Sequence, residues 1–234
     1  MAKSMRLDKL LGHCGWGTRR QLKELCKGGH VFVNGQCCRD SSVKVDPEED
    51  QISVDGTPVV YEAFYYLMMN KPAGVLSATE DRCSRTVLDL LPQQYQGAGL
   101  FPVGRLDKDT TGLLLLTNDG VWAHRITAPN KVYIAEVDGS IPDDIDDVFQ
   151  GGIVLADGLQ CLPARARKIE EQTVEVTVQE GKFHQVKRMC AAVGLSVRAL
   201  RRHTIGGLRL DETLRPGEFR PLKEEEREFP FMNK

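Results

Sequence analysis

Gly104-Arg105-Leu106-Asp107-Lys108-Asp109-Thr110-Thr111-Gly112, running directly into Leu113-Leu114-Leu115-Leu116, places a polar turn between two apolar segments. Leu100 to Val103 before it and Leu113 to Thr117 after it read as buried strands. The turn is therefore held at both ends by rigid structure while its side chains stay within reach of a substrate, the usual setting for catalytic groups. Asp107 is the first candidate for chemistry. Turn chemistry alone also accounts for such a loop, since Asp and Thr bond nearby amides and Gly supplies positive φ.

Outward from the loop, strands alternate with short helices. Tyr65 to Asn70 reads as a buried strand ended by the Lys71-Pro72-Ala73-Gly74 turn. Val132 to Val137 and the alternating Thr173 to Val178 are further strands, His184 to Val193 fits a helix, and Val197 to Arg202 a strand. Few regular β-α-β units are visible, which argues α+β with a large mixed sheet. Glu224 to Glu228 suggests an acidic terminal helix.

Ahead of this domain, assigned to residues 65–234, lies a smaller α/β module at 5–57, with 58–64 as linker. Arg6 to Leu11 opens a short amphipathic helix, Gly15-Trp16-Gly17 breaks it, and Thr18 is placed to cap a second helix that Gly28-Gly29 ends. Val31 to Gln36 is a strand entering an Asn34-Gly35 hairpin turn.

The chain has 234 residues, 41% of them hydrophobic and 27% charged, an ordinary balance for a soluble protein. No run approaches the ~20 apolar residues that span a bilayer, and Met1 to Arg6 lacks the apolar core of a secretory signal. A cytoplasmic location without membrane contact is expected. The seven cysteines form no C-x-x-C pair and no zinc-ligand spacing, which argues for reduced thiols and no metal site. The net charge of −2 hides segregation: residues 1–44 hold nine Lys and Arg against three acids, 181–209 hold seven against none, and 136–180 hold eleven acids against three bases. Two separate basic blocks can meet phosphate although the molecule is near neutral.

GRLDKDTTGLLLLTNDG resembles the signature of pseudouridine synthases that modify ribosomal RNA, and in that family the Asp of GRLD, Asp107 in this sequence, is the nucleophile. The pseudouridine-synthase fold, a large mixed, mainly antiparallel sheet flanked by helices, is implied with it. Converting uridine to pseudouridine breaks the glycosidic bond, turns the uracil and rejoins it through carbon 5. It oxidises and hydrolyses nothing, so no cofactor is expected; dinucleotide fingerprint, P-loop and clustered metal ligands are all missing from the sequence. The reaction needs a nucleophile, a base and a pocket for an extruded nucleotide. Lys131-Val132-Tyr133 matches the family's K-x-Y strand, whose Tyr stacks on the target base and is a candidate proton acceptor. Glu180 to Met189 resembles the third motif, whose basic residue two after Gln pairs with the catalytic Asp. That residue is Lys187, with Arg188 as the alternative.

By the same resemblance Lys182, His184 and Arg188 contact RNA phosphate, and Arg105 supports the flipped-out nucleotide. The phrases RLDKLL, TRRQLKELCKGG and HVFVNG resemble the S4-type RNA-binding domain, which makes Arg19, Arg20, Lys23 and Lys27 the phosphate contacts of the small module. GRLDKDTTG with Trp122 to Thr127 and Phe183 to Lys187 is most similar to the RsuA subgroup. The implied partner is 16S ribosomal RNA in a small-subunit assembly intermediate, met by a monomer. A 23S ribosomal RNA target, or a non-catalytic RNA-binding role in ribosome assembly, are the alternatives.

Overall fold

Two units emerge from the chain of the computed structural model, which describes residues 4–232. The first three residues of the segment judged to lack a secretory signal fall outside that range. One unit gathers the amino-terminal stretch up to Tyr65 together with Leu91–Leu100; the other holds Tyr66–Leu90 and the chain from Phe101 onward.

In the first unit β1 (Met5–Arg6) leads into α1 (Leu7–His13) and α2 (Arg19–Gly28). Thr18 caps α2 reciprocally: its hydroxyl accepts from the Gln21 amide and Gln21 Oε1 accepts from the Thr18 amide, so two otherwise orphaned N–H groups are satisfied. Gly29 then ends the helix in the left-handed region at φ 84°. The hairpin of β2 (Val31–Val33) and β3 (Gln36–Cys37) turns through Asn34 and Gly35, both at positive φ. Strands β4 (Lys44–Val45), β5 (Ile52–Val54) and β6 (Thr57–Pro58) complete it, with β4 on β1 and β5 between β2 and β6. Leu7, Leu10, Leu11, Leu22, Cys26 and Val31 are buried at its centre, each buried aliphatic chain contributing about 2 kcal/mol.

The segment Leu91–Leu100, with the short helix α3 (Gln93–Gln96), packs on this unit backbone to backbone. A Cβ on Gly97 would lie 1.6 Å from the Gly12 carbonyl oxygen, and one on Gly15 2.3 Å from Gln94 Cα. Glycine at both places is a demand of close approach, and at Gly15 (φ 77°) of turn geometry as well.

The second unit is built on one sheet of nine strands among the described residues. In chain order these are β7 (Tyr66–Lys71), β8 (Phe101–Val103), β9 (Thr111–Thr117), β10 (Lys131–Asp138), β11 (Arg165–Glu170), β12 (Thr173–Val178), β13 (Ser196–Ile205), β14 (Leu208–Arg209) and β15 (Phe219–Pro221). The main path runs β11-β12-β10-β13-β9-β7-β15, with β14 on β13 and β8 on β9. Every pairing along it is antiparallel except β9 with β13, so the sheet is mixed and mainly antiparallel, with its parallel seam at the centre. At that seam Gly112 (φ 98°) pairs Arg202, and a Cβ there would come within 2.2 Å of the Arg202 carbonyl oxygen.

Helices α4 (Gly120–Arg125), α5 (Ile145–Gln150) and α6 (Gln185–Ala192) flank the sheet, α5 and α6 sharing one apolar cluster with β10–β13 and α4 another with β7, β8 and β9. This is the α+β architecture read from the sequence. Three local readings differ. Lys71 belongs to β7 rather than to the turn after it, and β13 runs on to Ile205. Glu224 to Glu228 holds a single 3-10 turn at Glu225–Arg227, because Pro230 follows closely and both Glu226 oxygens are taken by Arg220 at 2.7 Å.

Candidate active site

Asp107 stands on the loop between β8 and β9, and the loop's own backbone is what fixes it. Buried Lys71 donates to the carbonyls of Pro72 (3.0 Å), Lys108 (3.2 Å) and Thr110 (2.9 Å). Ser77 grips Leu106 from both sides, its hydroxyl donating to the Leu106 carbonyl (2.9 Å) and accepting from the Leu106 amide (3.1 Å). Arg202, only 2% exposed, donates through Nε to the Leu113 carbonyl (2.8 Å) and through Nη2 to the Gly104 carbonyl (2.7 Å). Carbonyls on both sides of Asp107 and at both ends of the loop are thus bound to buried donors, which leaves the carboxylate as the free end of a fixed frame.

The carboxylate, 26% exposed, faces a cleft lined by Arg105, Thr110, Tyr133, Lys182 and His184. His184 Nε2 and Lys187 Nζ each lie 3.7 Å from one Asp107 oxygen. Tyr133 faces Arg202 across the β10–β13 pairing, where a bulge falls beside it, and its hydroxyl is 3.5 Å from Arg202 Nη1. Asp107, Tyr133 and Lys187, drawn from three separate motifs, therefore meet in one place.

Lys187 nevertheless has a tighter partner than the one expected. Its Nζ is 2.6 Å from Asp109 Oδ1, and this pairing holds the Asp109 carboxyl below the usual carboxylate range. The lysine bridges both acids of the loop, Asp109 at contact and Asp107 one step away.

His184 turns the chain into α6 from the left-handed region (φ 48°), a costly place for a side chain with a Cβ. Buried Gln185 secures the turn: its Oε1 accepts from the Lys182 amide and its Nε2 donates to Glu180, both at 2.9 Å. Lys182 reaches Glu180 (3.3 Å) and the Gln160 carbonyl, while Arg188 pairs Asp157 (2.5 Å). Of the second basic block, Arg198 and Arg201 also hold acids, Asp138 and Glu212. Arg105 is exposed at the cleft's edge. In the other unit Arg19, Arg20, Lys23 and Lys27 lie exposed on α2, with Lys27 near Glu24 (3.8 Å).

Sequence reading missed Lys71, Ser77 and Arg202. For two of them a signal existed: a lysine closing a buried, mostly apolar strand, and an arginine at an inward position of a strand, both out of pattern for exposed charge.

Burial pushes the Lys71 and Lys131 ammonium groups down to about 8. Between there and the ordinary lysine value the unfolded chain binds more protons than the fold, so the free energy of unfolding should climb with pH across that window. Activity should do the opposite. A neutral Lys71 amine has two N–H bonds for three carbonyls, the loop loosens, and the rate should drop about tenfold per pH unit above pH ~8. Rate profiles and urea melts from pH 7 to 10 check both; a flat rate profile, or stability falling in step with rate, would count against this role for Lys71.

Known proteins resemble this chain over most of its length. The family described as RNA pseudouridylate synthase matches residues 65–192, and the S4 domain matches residues 5–59. An uncharacterized RNA pseudouridine synthase of Bacillus subtilis is 46% identical over 231 residues, covering 95% of this chain and 96% of the relative. The ribosomal small subunit pseudouridine synthase A of Escherichia coli is 40% identical over 228 residues, covering 95% and 98%. A solved pseudouridylate synthase superposes with a TM-score of 0.67 at 36% identity, covering 97% of this chain and all of that one. The chain belongs to the RNA pseudouridylate synthase family and carries an S4 domain at its amino-terminal side.

Proposed function

We propose that this protein isomerises one uridine of 16S ribosomal RNA to pseudouridine, acting as a monomer on a small-subunit assembly intermediate. The target nucleotide is flipped into the cleft and met by the Asp107 carboxylate. The observation that carries this is the cleft itself: a carboxylate on a backbone-pinned loop, 3.7 Å from both His184 and Lys187, with Tyr133 on the same wall. The N1–C1′ bond breaks, the uracil turns and the C5–C1′ bond forms; C5 loses a proton and N1 gains one, so no redox partner is required. Tyr133 stacks on the base or takes the proton, Lys187 offsets charge at the two acids, and Arg105 fills the space the flipped nucleotide leaves. The small-subunit target is favoured by the name of the Escherichia coli relative, which matches over nearly the full length of both chains.

The small module, residues 5–57, and a linker at 58–64 deliver RNA to the catalytic domain at 65–234. Arg19, Arg20, Lys23 and Lys27 are the phosphate contacts of α2. Near the cleft Lys182, His184 and Arg188 serve RNA also, with Lys182 and Arg188 exchanging Glu180 and Asp157 for phosphate.

Release of tritium from carbon 5 of uridine-labelled 16S RNA, or of its assembly intermediate, tests the activity: one equivalent per RNA is expected, and none would refute it. For Arg19→Ala combined with Arg20→Ala, affinity should fall and the slope of log K against log salt should flatten by roughly one unit per lost phosphate contact. An unchanged slope would take α2 out of the RNA interface.

A further inference from the structure

Thr110 is held by its backbone and left free at its side chain. Its amide donates to the Asp107 carbonyl (3.2 Å) and its carbonyl accepts from Lys71 (2.9 Å). The residue is 1% exposed and lines the cleft beside Asp107 and Tyr133, yet its hydroxyl has no hydrogen-bond partner. Among the described residues only one other buried side-chain polar atom is so placed, Arg227 Nε, whose guanidinium lies over the Tyr66 ring. A buried hydroxyl without a partner carries a desolvation penalty, which a valine of the same shape would not incur. Its position in the cleft points to a partner that arrives with the substrate.

We propose that the Thr110 hydroxyl donates a hydrogen bond to a carbonyl oxygen of the target uracil and makes the equivalent bond again after the base has turned. This rests on the isomerase function proposed above. Uracil is nearly symmetric about the line through N3 and C6: N1 lies opposite C5, and the C2 carbonyl opposite the C4 carbonyl. A half-turn about that line brings C5 to the place of N1 and one carbonyl to the place of the other. A single fixed donor therefore meets a carbonyl oxygen in both the substrate and the product orientation. Between them the base is detached from C1′, and such a contact holds it in the cleft. A β-branched side chain with a stiff χ1 on a pinned backbone keeps the donor in place. The hydroxyl neither gains nor loses a proton in the reaction.

Thr110→Val and Thr110→Ser, compared with wild type for single-turnover pseudouridine formation, RNA affinity and Tm, test this. Thr110→Val should lose tenfold or more in rate, bind RNA within twofold of wild type and melt at the same temperature or higher; Thr110→Ser should recover to within a few-fold of wild type. A merely structural hydroxyl would leave the rate of Thr110→Val unchanged, and that result overturns the proposal. As a second measurement, RNA carrying 2-thiouridine or 4-thiouridine at the target presents a poorer acceptor. It should slow wild type and slow Thr110→Val much less; equal slowing of both proteins overturns the proposal. Should Thr110→Val fail to fold, undiminished wild-type rates on both thio-substituted RNAs overturn it. Absence of pseudouridine with wild-type protein refutes the isomerase function and this contact together, whereas wild-type activity matched by Thr110→Val refutes the contact alone.

Discussion

Asp107→Asn is expected to lower pseudouridine formation by at least ~10⁴-fold, about 5.5 kcal/mol of transition-state stabilisation, while RNA affinity stays within a few-fold of wild type. The asymmetry follows from how the loop is built. Lys71, Ser77 and Arg202 hold it through carbonyls and one amide, not through the Asp107 side chain, so the isosteric amide leaves the frame in place. What disappears is the charged oxygen, and an amide is no substitute for a carboxylate nucleophile. Loss of a negative charge near RNA phosphate should, if anything, tighten binding. Single-turnover assays and filter binding on the same RNA separate the two quantities. Residual activity above about a hundredth of wild type would remove Asp107 from the nucleophile's role.

Arg202→Met carries the second large effect, on stability as well as rate. Met fills much of the same space but leaves the Gly104 and Leu113 carbonyls without their donor inside the core. Hydrogen bonds from a charged group are each worth roughly 1.5–3 kcal/mol, so a loss of about 3–5 kcal/mol is expected in urea unfolding. Among the molecules still folded the loop ends are no longer tied and Tyr133 loses a neighbour, so kcat should fall beyond what the unfolded fraction explains. Arg202→Lys should recover only part of either, since one ammonium on a flexible stem cannot reproduce a planar fork that serves separated acceptors. A cost below 1 kcal/mol with unchanged kcat would show that the clamp is unimportant.

Where local chemistry decides the structure, the sequence was readable. The Thr18 cap, the Gly29 stop, the Asn34-Gly35 turn and the alternation of Thr173 to Val178 are each set by a few neighbouring residues. The loop of Asp107 was legible as a loop for the same reason, its glycines at positive φ at both ends. The six-residue helices α4 and α5 were not, being too short to show a period. Strands β11, β14 and β15 depend on which neighbour they find.

In the site, residue types in known motifs were legible while their pairings were not. Lys71 and Arg202 stand out of pattern for exposed charge, but only the folded chain brings backbone carbonyls around them. Lys187 was expected to pair with Asp107, and only the loop's geometry sets Asp109 closer, 2.6 Å against 3.7 Å. The basic block at 181–209 reads as one phosphate surface in sequence. Folded, Arg202 is buried, and Lys187, Arg188, Arg198 and Arg201 each hold an acid. Two of those acids, Asp138 and Asp157, come from the acidic stretch 136–180, so the segregation of charge along the chain partly cancels in space.

The most direct measurement is mass-spectrometric mapping of pseudouridine across ribosomal RNA from cells lacking this protein, complemented in turn by wild type and by Asp107→Asn. One 16S pseudouridine should be missing without the protein, return with wild type and stay missing with Asp107→Asn. An unchanged pseudouridine map, or full restoration by Asp107→Asn, would contradict Asp107-dependent isomerisation of that RNA.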